Sequence, residues 1–377
     1  MHIVIVQTAL SYLDSKTYNR QETGLAKALA KRGFKVSLIY SGRENNVVNV
    51  CENVNIYYLK CVKFNQQIGL YFNLWEKLDD LNPDLLQIHE MGMFMSFYSM
   101  MWTRSHKKKY VLIQGAYELT RKPIFKQLEW IFNKLLGVHI LKNAAGIGCK
   151  TMAAQIFLQK YINRQCMITP VGLDVSRFEY TEHFLCDFRE KVGIDKNKKV
   201  LLYIGVNEKR RHVDMLINTI RLLPNEYVLV LVGDGPNKKQ QMERTKLETE
   251  LGRIIWLNKR PQKELPAIYE AADLFLLATD YEIYGMVVME SMYYNIPVLA
   301  TNIGGVSSII ENKETGYLID SLVAKDWAER IIDIFSNKAK YTEIKQKLHN
   351  YIKDNLLWST TCNSFIELYH YAASKEY

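Results

Sequence analysis

The chain alternates short apolar runs with amphipathic stretches from its first residues. HIVIVQ (2–7) leads to ETGLAKALAKRG (22–33), then KVSLIYS (35–41), FNLWEKLDDLNP (72–83) and DLLQIH (84–89). Runs apolar at nearly every position fit strands covered on both faces, and the stretches with a 3.6-residue repeat fit the helices that cover them. Strand and helix in alternation predict a parallel sheet with crossover helices. The pattern restarts at 199 with KVLLYIG, VDMLINTIRLLP, YVLVLVGDGP, a charged helical stretch to 251, RIIWLN, ELPAIYEAADLFLLAT, a helix start within EIYGMVVMES (282–291), and the strand IPVLAT. Between the two series lies PVGLDVSRF (170–178), a stretch punctuated by Pro and Gly.

The expected fold class is therefore α/β, with two Rossmann-like doubly wound domains facing across a cleft. Residues 1–173 form the first and 174–359 the second, and a terminal helix near 360–377 packs back on the first. Ligands of such sheets gather beyond the carboxyl ends of the strands, so function is sought in the residues that end them.

Length and composition agree with this reading: 377 residues suit two cores, and 48% apolar with 24% charged residues is a globular balance. MHIVIVQTAL has no basic leader and no apolar run approaches the ~18 residues of a membrane span, so a cytoplasmic chain is expected. Six cysteines show no CxxC pair or zinc spacing, and no metal site is expected from them.

Charge changes the picture. Residues 1–174 hold 22 Lys/Arg against 12 Asp/Glu, the remainder 27 against 28, so the net charge of +9 belongs to the first half. Residues 101–150 alone carry ten Lys/Arg against two Asp/Glu. MGMFMSFYSMMW (91–102), TRSHKKKY and RKPIFKQLEWIFNKLL mix basic with apolar residues. Ile124, Phe125, Leu128, Ile131, Phe132 and Leu135 fall at helical spacing beside Lys122, Lys126 and Lys134. This suits the anionic inner face of a cell membrane; a core helix with a solvated basic flank is the competing reading. Nucleic acid is not expected, since none of its recognition motifs is present.

Three strand ends could carry chemistry. Gly205 closes LLYIG and is followed by Lys209, Arg210 and Arg211, a glycine and cations that suit a diphosphate; an ordinary cationic surface loop is the alternative. VGDGP (232–236) could be only a tight turn. In EIYGMVVMES, Glu282 and Glu290 bracket a helix start near Gly285, separated by at most about 12 Å at 1.5 Å per residue. The amides from Ile283 to Val287 lie between them, so hydroxyls at both ends of a ligand and a diphosphate in the middle would satisfy the arrangement. Alternatively both carboxylates are merely solvated.

These segments together resemble the retaining, GT-B fold glycosyltransferases of family 4, whose hallmark E-x7-E is here Glu282 through Glu290. IGVNEKRRHVDMLI, VGDGP, ELPAIYEAADLFLLATDYEIYGMVVMESM, IPVLATNIGG with ENKETGYLID, and PVGLDVSRF carry the resemblance. It implies that Glu290 holds ribose hydroxyls and that Glu282 contacts the transferred sugar. It further implies that the backbone of Ile283, Tyr284, Gly285, Met286 and Val287 holds sugar and β-phosphate. Arg211 then stands where the family's phosphate-binding lysine does, Arg210 assists it, Gly205 opens the loop, and Asn258 and Lys259 frame the base.

The expected reaction is transfer, with retention, of a hexose or N-acetylhexosamine from a nucleoside-diphosphate sugar, a UDP-sugar by expectation, although the residues do not themselves choose UDP over GDP. The acceptor is expected to be a glycan on a polyprenyl-diphosphate or similar lipid carrier, within bacterial surface polysaccharide synthesis. The implied mechanism is a front-face one in which the β-phosphate helps deprotonate the acceptor. No Asp-x-Asp stands beside the diphosphate residues, so metal-independent chemistry with no cofactor beyond the donor is expected.

The chain departs from the family at Val206, Ser308 and Gln114, and SYLDSKTYNRQE replaces the glycine pair after the first strand. Tyr18, Asn19, His89 and Gln114, read as loop residues after first-half strands, are the acceptor-side candidates. Two alternatives stay open: a GT-B fold UDP-sugar 2-epimerase, and a nucleotide-sugar or glycan binding protein without transfer activity.

Overall fold

A computed structural model describes residues 1–10, 20–64, 68–178 and 188–375. Tyr18 and Asn19 lie outside the described residues. The chain divides into two units: one holds Arg20–Gly172 with the N-terminal strand and a C-terminal helix, the other Leu173–Leu357.

The first unit is built on β1 (His2–Val6), β2 (Lys35–Gly42), β3 (Asn46–Cys51), β4 (Val54–Lys63), β5 (Gly69–Tyr71), β6 (Leu85–His89), β7 (Lys109–Gln114), β8 (Gly146–Cys149) and β9 (Met167–Ile168). Their order is β3-β4-β2-β1-β6-β7-β8-β9, with β5 on β4. The pairings are parallel except β3 with β4 and β4 with β5. The apolar runs lie where expected because the central strands are covered on both faces: Ile3 to Val6 are wholly buried. The β3–β5 excursion is not visible as such a run. Nearly every side chain of β3 is exposed, so no apolar pattern marks it.

Helix Trp358–Ser374 buries Trp358, Thr361, Cys362, Phe365, Leu368, Tyr369 and Ala372, one stripe at helical spacing. It packs within the first unit. A Cβ on Gly24 would stand 2.2 Å from the Trp358 indole nitrogen, so the glycine lets the indole rest on helix Gln21–Ala30. Tyr369 donates to Gln87 Oε1 (2.5 Å).

The structure separates the two halves of the basic, apolar segment. Helix Phe94–Ser105 buries Met95, Met100 and Trp102. Helix Pro123–Phe132 buries none of its residues, which rules out the core-helix reading for it. No helix among the described residues is long and apolar enough to cross a membrane.

The second unit has β10 (Lys199–Ile204), β11 (Tyr227–Val232), β12 (Ile254–Leu257), β13 (Leu274–Leu277), β14 (Val298–Thr301) and β15 (Tyr317–Ile319). All pair in parallel in the order β12-β11-β10-β13-β14-β15. All six side chains of β11 are buried, each apolar one favouring the fold by about 2 kcal/mol over exposure. The order reverses between β10 and β13, and the crevice beyond the carboxyl ends of that pair is where such sheets bind ligands.

Candidate functional site

Two loops meet at this reversal. After β10 the chain passes Gly205, makes a short 3-10 turn at Lys209–Arg211, and enters helix Val213–Leu222 through His212 in the left-handed region (φ 44°). After β13 it runs through Thr279 and Glu282 to Gly285 (φ 101°), which precedes helix Met286–Tyr293. Only glycine adopts that φ without strain, and the turn it makes leaves the first helical amides, Met286 and Val287, without intrahelical acceptors.

The loops are joined by side chains. Arg211 donates through Nη1 to Glu282 Oε2 at 2.5 Å, with both side chains only 15% exposed. Burial works against the Arg211 charge, but Glu282, with Tyr203 and Glu208, more than offsets it and holds the guanidinium pKa above its ordinary value. Its Nε–H is buried and has no partner among the described residues. A buried, charged donor left unsatisfied is costly, and an incoming phosphate oxygen would satisfy it. Arg210 donates to Tyr281 O (2.7 Å) and pairs with Glu208 (2.6 Å), and so ties the two loops as a brace. His212 adds a contact to Asp280 (3.2 Å).

The glycine-rich segments have steric reasons. A Cβ on Gly233 would fall 1.9 Å from Gly205 O, and one on Gly235 would fall 2.3 Å from Asn207 O. VGDGP is therefore more than a turn, because it packs directly under the loop that carries the cations. Gly305 likewise lies against Tyr284, where a Cβ would stand 2.2 Å from Tyr284 Cα, and its amide donates to Glu282 O (3.1 Å). Tyr284 itself is buried, while Ile283, Met286 and Val287 remain partly open.

Glu290 sits on the helix's second turn, 4% exposed, and accepts from the Tyr269 hydroxyl at 2.8 Å. Tyr269 is fully buried and stacks on Tyr294 with ring centroids 5.4 Å apart. Burial and the neighbouring carboxylate push its phenol pKa up, so it stays a donor.

Asn258 and Lys259 are organised by a residue the sequence did not single out. Lys238, 7% exposed, donates to Gly233 O (2.8 Å), Asp234 Oδ1 (3.0 Å), Leu257 O (3.0 Å) and Asn258 Oδ1 (2.7 Å). The Lys259 amide donates to Asp234 Oδ2 (3.1 Å), and the Lys238 hydrogen bond holds the Asp234 carboxyl below its usual pKa. One ammonium thus clamps the ends of β11 and β12. Lys238→Met is expected to cost about 2 kcal/mol, because two carbonyls and an amide oxygen lose their donor; urea unfolding measures it. In the sequence Lys238 is indistinguishable from Lys239, since both stand in a charged helical stretch.

Two of the first-unit candidates are described. His89 ends its strand, as the run DLLQIH implies, and Gln114 is likewise the last residue of its strand and not a loop residue, each paired in the ladder. Gln114 is buried and spends its amide on Met91 N (3.1 Å) and Ala116 O (2.9 Å). His89 Nε2 lies 3.0 Å from the Gln87 amide nitrogen, and burial lowers its pKa to about 4, so the ring is neutral at pH 7.

Around these strand ends stand residues the sequence reading missed. Burial alone would raise the Glu22 carboxyl, but His89, Lys150 and Arg20 hold it below its usual pKa. Glu90, at φ 62°, accepts from Gly115 N (3.0 Å) and Ala116 N (3.1 Å), and burial raises its pKa.

Two Rossmann-like units, with ligand-ready loops at the switch point of the second, define a protein of the GT-B class. The structure superposes on sucrose-phosphate synthase (tll1590) from Thermosynechococcus elongatus with a TM-score of 0.76 at 17% identity, covering 98% of both chains. It superposes on Anabaena Alr3699/HepE in complex with UDP-glucose with a TM-score of 0.73 at 16% identity, over 98% of this chain and 99% of that one. Residues 187–354 match the family described as glycosyl transferases group 1.

Among curated proteins it is 28% identical over 197 residues to D-inositol 3-phosphate glycosyltransferase of Corynebacterium efficiens, 50% of this chain and 46% of that protein. It is 26% identical over 259 residues to the putative teichuronic acid biosynthesis glycosyltransferase TuaC of Bacillus subtilis, 68% of this chain and 62% of that protein. The matches to the inositol phosphate enzymes span about half the length of those relatives.

Proposed function

We propose that the protein is a retaining glycosyltransferase that moves a hexose or N-acetylhexosamine from a UDP-sugar to a lipid-linked glycan in surface polysaccharide synthesis. The observation that carries this reading is the largely buried Arg211–Glu282 pair at the β10/β13 switch point, with an unsatisfied guanidinium N–H beside it. A cation fixed there stabilises charge that grows on a departing nucleoside diphosphate. The amides of Met286 and Val287 add the positive end of a helix to the same charge.

With Arg211 and the helix start supplying this neutralisation, the chemistry is metal-independent, and the donor is the only co-substrate. Glu282 orients the guanidinium and meets the sugar hydroxyls; Glu290 meets the ribose; Asn258 and Lys259 frame the base. In a front-face transfer the β-phosphate takes the acceptor proton as the bond to the anomeric carbon lengthens. The UDP-glucose complex of HepE supports the choice of donor, and the teichuronic acid relative supports the polysaccharide setting. The basic first half suits a phosphate-bearing lipid carrier at the cytoplasmic face of an anionic membrane.

Thermal unfolding with UDP, UDP-glucose, UDP-N-acetylglucosamine, GDP and GDP-mannose tests the donor. A ligand at a hundred times its Kd adds about 2.7 kcal/mol, and about 2–4 °C per kcal/mol applies to a unit of this size. UDP and a UDP-sugar are expected to raise Tm by several degrees, with the rise and the turnover unchanged in chelator. No rise with any nucleoside diphosphate would overturn the reading.

A further inference from the structure

We propose that a cleft beside helix Pro123–Phe132 receives the phosphoryl headgroup of an anionic phospholipid while the outer face of that helix lies among the acyl chains. This rests on the membrane reading above and names the element that carries it.

The cleft measures about 470 Å³, and Arg121, Lys126, Lys134, Lys160, Trp130 and Tyr161 contribute to its wall. Arg121 is paired with Glu118 (2.6 Å). No carboxylate lies within 4 Å of the ammonium groups of Lys126, Lys134 or Lys160 among the described residues, so three cations face solvent uncompensated. Lys134 Nζ stands 6.0 Å from the Trp130 ring and 5.6 Å from the Tyr161 ring. The arrangement is an anion site walled by amphipathic rings, the side chains that favour the headgroup level of a bilayer.

The helix beside it and the π-helical turn Asn133–Gly137 that continues it present an apolar row with no partner among the described residues. Ile124, Leu128, Ile131 and Leu135 recur at spacings of four, three and four and are 75%, 57%, 46% and 69% exposed. The opposite side is tied down: the Thr120 amide donates to Glu129 Oε2 (2.9 Å), and Asn133 is buried. The row therefore cannot turn inward without breaking that anchorage.

Charge selects the occupant. A second copy of this chain would bring the same uncompensated lysines against these, and a nucleic acid would leave the apolar row in water. An anionic lipid surface neutralises the lysines and buries the row together.

The test uses the full chain with vesicles of phosphatidylcholine, alone or mixed with phosphatidylglycerol, and with brominated acyl chains. Cosedimentation should be at least about tenfold stronger on the mixed vesicles, and Trp130 fluorescence, taken as the difference from Trp130→Phe, should be quenched by bromine. Lys134→Glu with Lys160→Glu should weaken binding about tenfold or more, and Leu128→Ser with Ile131→Ser should abolish the quenching. The UDP-induced rise in Tm should survive in every variant, which shows the fold intact.

Variants that bind mixed vesicles as the parent does would overturn the cleft and leave the membrane reading standing; a parent that binds no vesicle overturns both. Inorganic phosphate that competes with vesicles at equal concentration of phosphoryl groups would make this a free-anion site and overturn the lipid assignment. A dimer that Leu128→Ser dissolves would overturn it in favour of a second copy.

Discussion

Arg211→Ala is expected to lower kcat by a factor of about 10²–10³, the usual effect of removing one preorganised donor from a site of growing negative charge, while KM for the nucleotide sugar changes only a few-fold. The asymmetry follows from where the charge lies. Arg211 is nearly buried and held by Glu282 at 2.5 Å, so its position does not depend on the ligand. The charge it faces is larger in the transition state, when the glycosidic bond is breaking, than in the bound donor. An interaction that strengthens along the reaction appears in kcat, and one that is constant appears in KM.

Arg211→Lys should recover part of the loss, because the charge remains while the fork that binds Glu282 and a phosphate oxygen together does not. The alanine variant also leaves the Glu282 carboxylate without its counter-charge, so Tm without ligand must be measured alongside. Single-turnover rates at saturating donor separate the chemical step from release. A kcat equal to the parent's would remove Arg211 from the mechanism and leave the pair as a structural brace.

The second unit was legible because its strands are buried on both faces and its loops obey steric rules that leave a trace in residue type. A glycine stands at 233 because Gly205 O leaves no room for a Cβ, and at 305 because Tyr284 lies against it. What was not legible depends on side chains whose identity does not announce their burial. Lys238 and Lys239 are the same letter, and only the fold shows that the first lies beneath the ends of β11 and β12. Tyr269 reads as one more apolar position until its hydroxyl is found on Glu290.

The first unit yielded less. Its carboxyl ends are lined by Glu22, the adjacent pair His89 and Glu90, and Lys150, which come from three distant points of the chain. The basic helix shows the limit differently: periodicity predicts an amphipathic face, but a core and a membrane make the same demand on sequence. The absence of any buried residue in Pro123–Phe132 excludes a core within this chain for that helix, which the sequence alone does not.

Glu290→Ala is expected to have the opposite kinetic signature, raising the dissociation constant for the UDP-sugar by one to two decades with kcat at saturation little changed. Hydrogen bonds to a charged acceptor contribute about 1.5–3 kcal/mol, and the ribose takes no part in bond breaking, so its contacts are the same before and during reaction. The carboxylate is held in a fixed position. It is 4% exposed, and the Tyr269 hydroxyl, fixed by stacking on Tyr294, holds Oε2 at 2.8 Å.

Tyr269→Phe leaves the carboxylate in place without that anchor, and a loss of a few-fold in affinity is expected from about 1 kcal/mol. The alanine variant instead orphans a buried hydroxyl and should cost about 1–3 kcal/mol of stability, which unfolding without ligand will show. Binding of 2′-deoxy-UDP decides whether the lost affinity belongs to the ribose. If Glu290 grips the diol, removing the 2′-hydroxyl weakens binding to the parent and hardly weakens binding to Glu290→Ala, because the partner is already gone. Penalties that simply add would mean that the carboxylate and the hydroxyl never meet, and Glu290 would then belong with Tyr269 and Tyr294 as packing of the second unit.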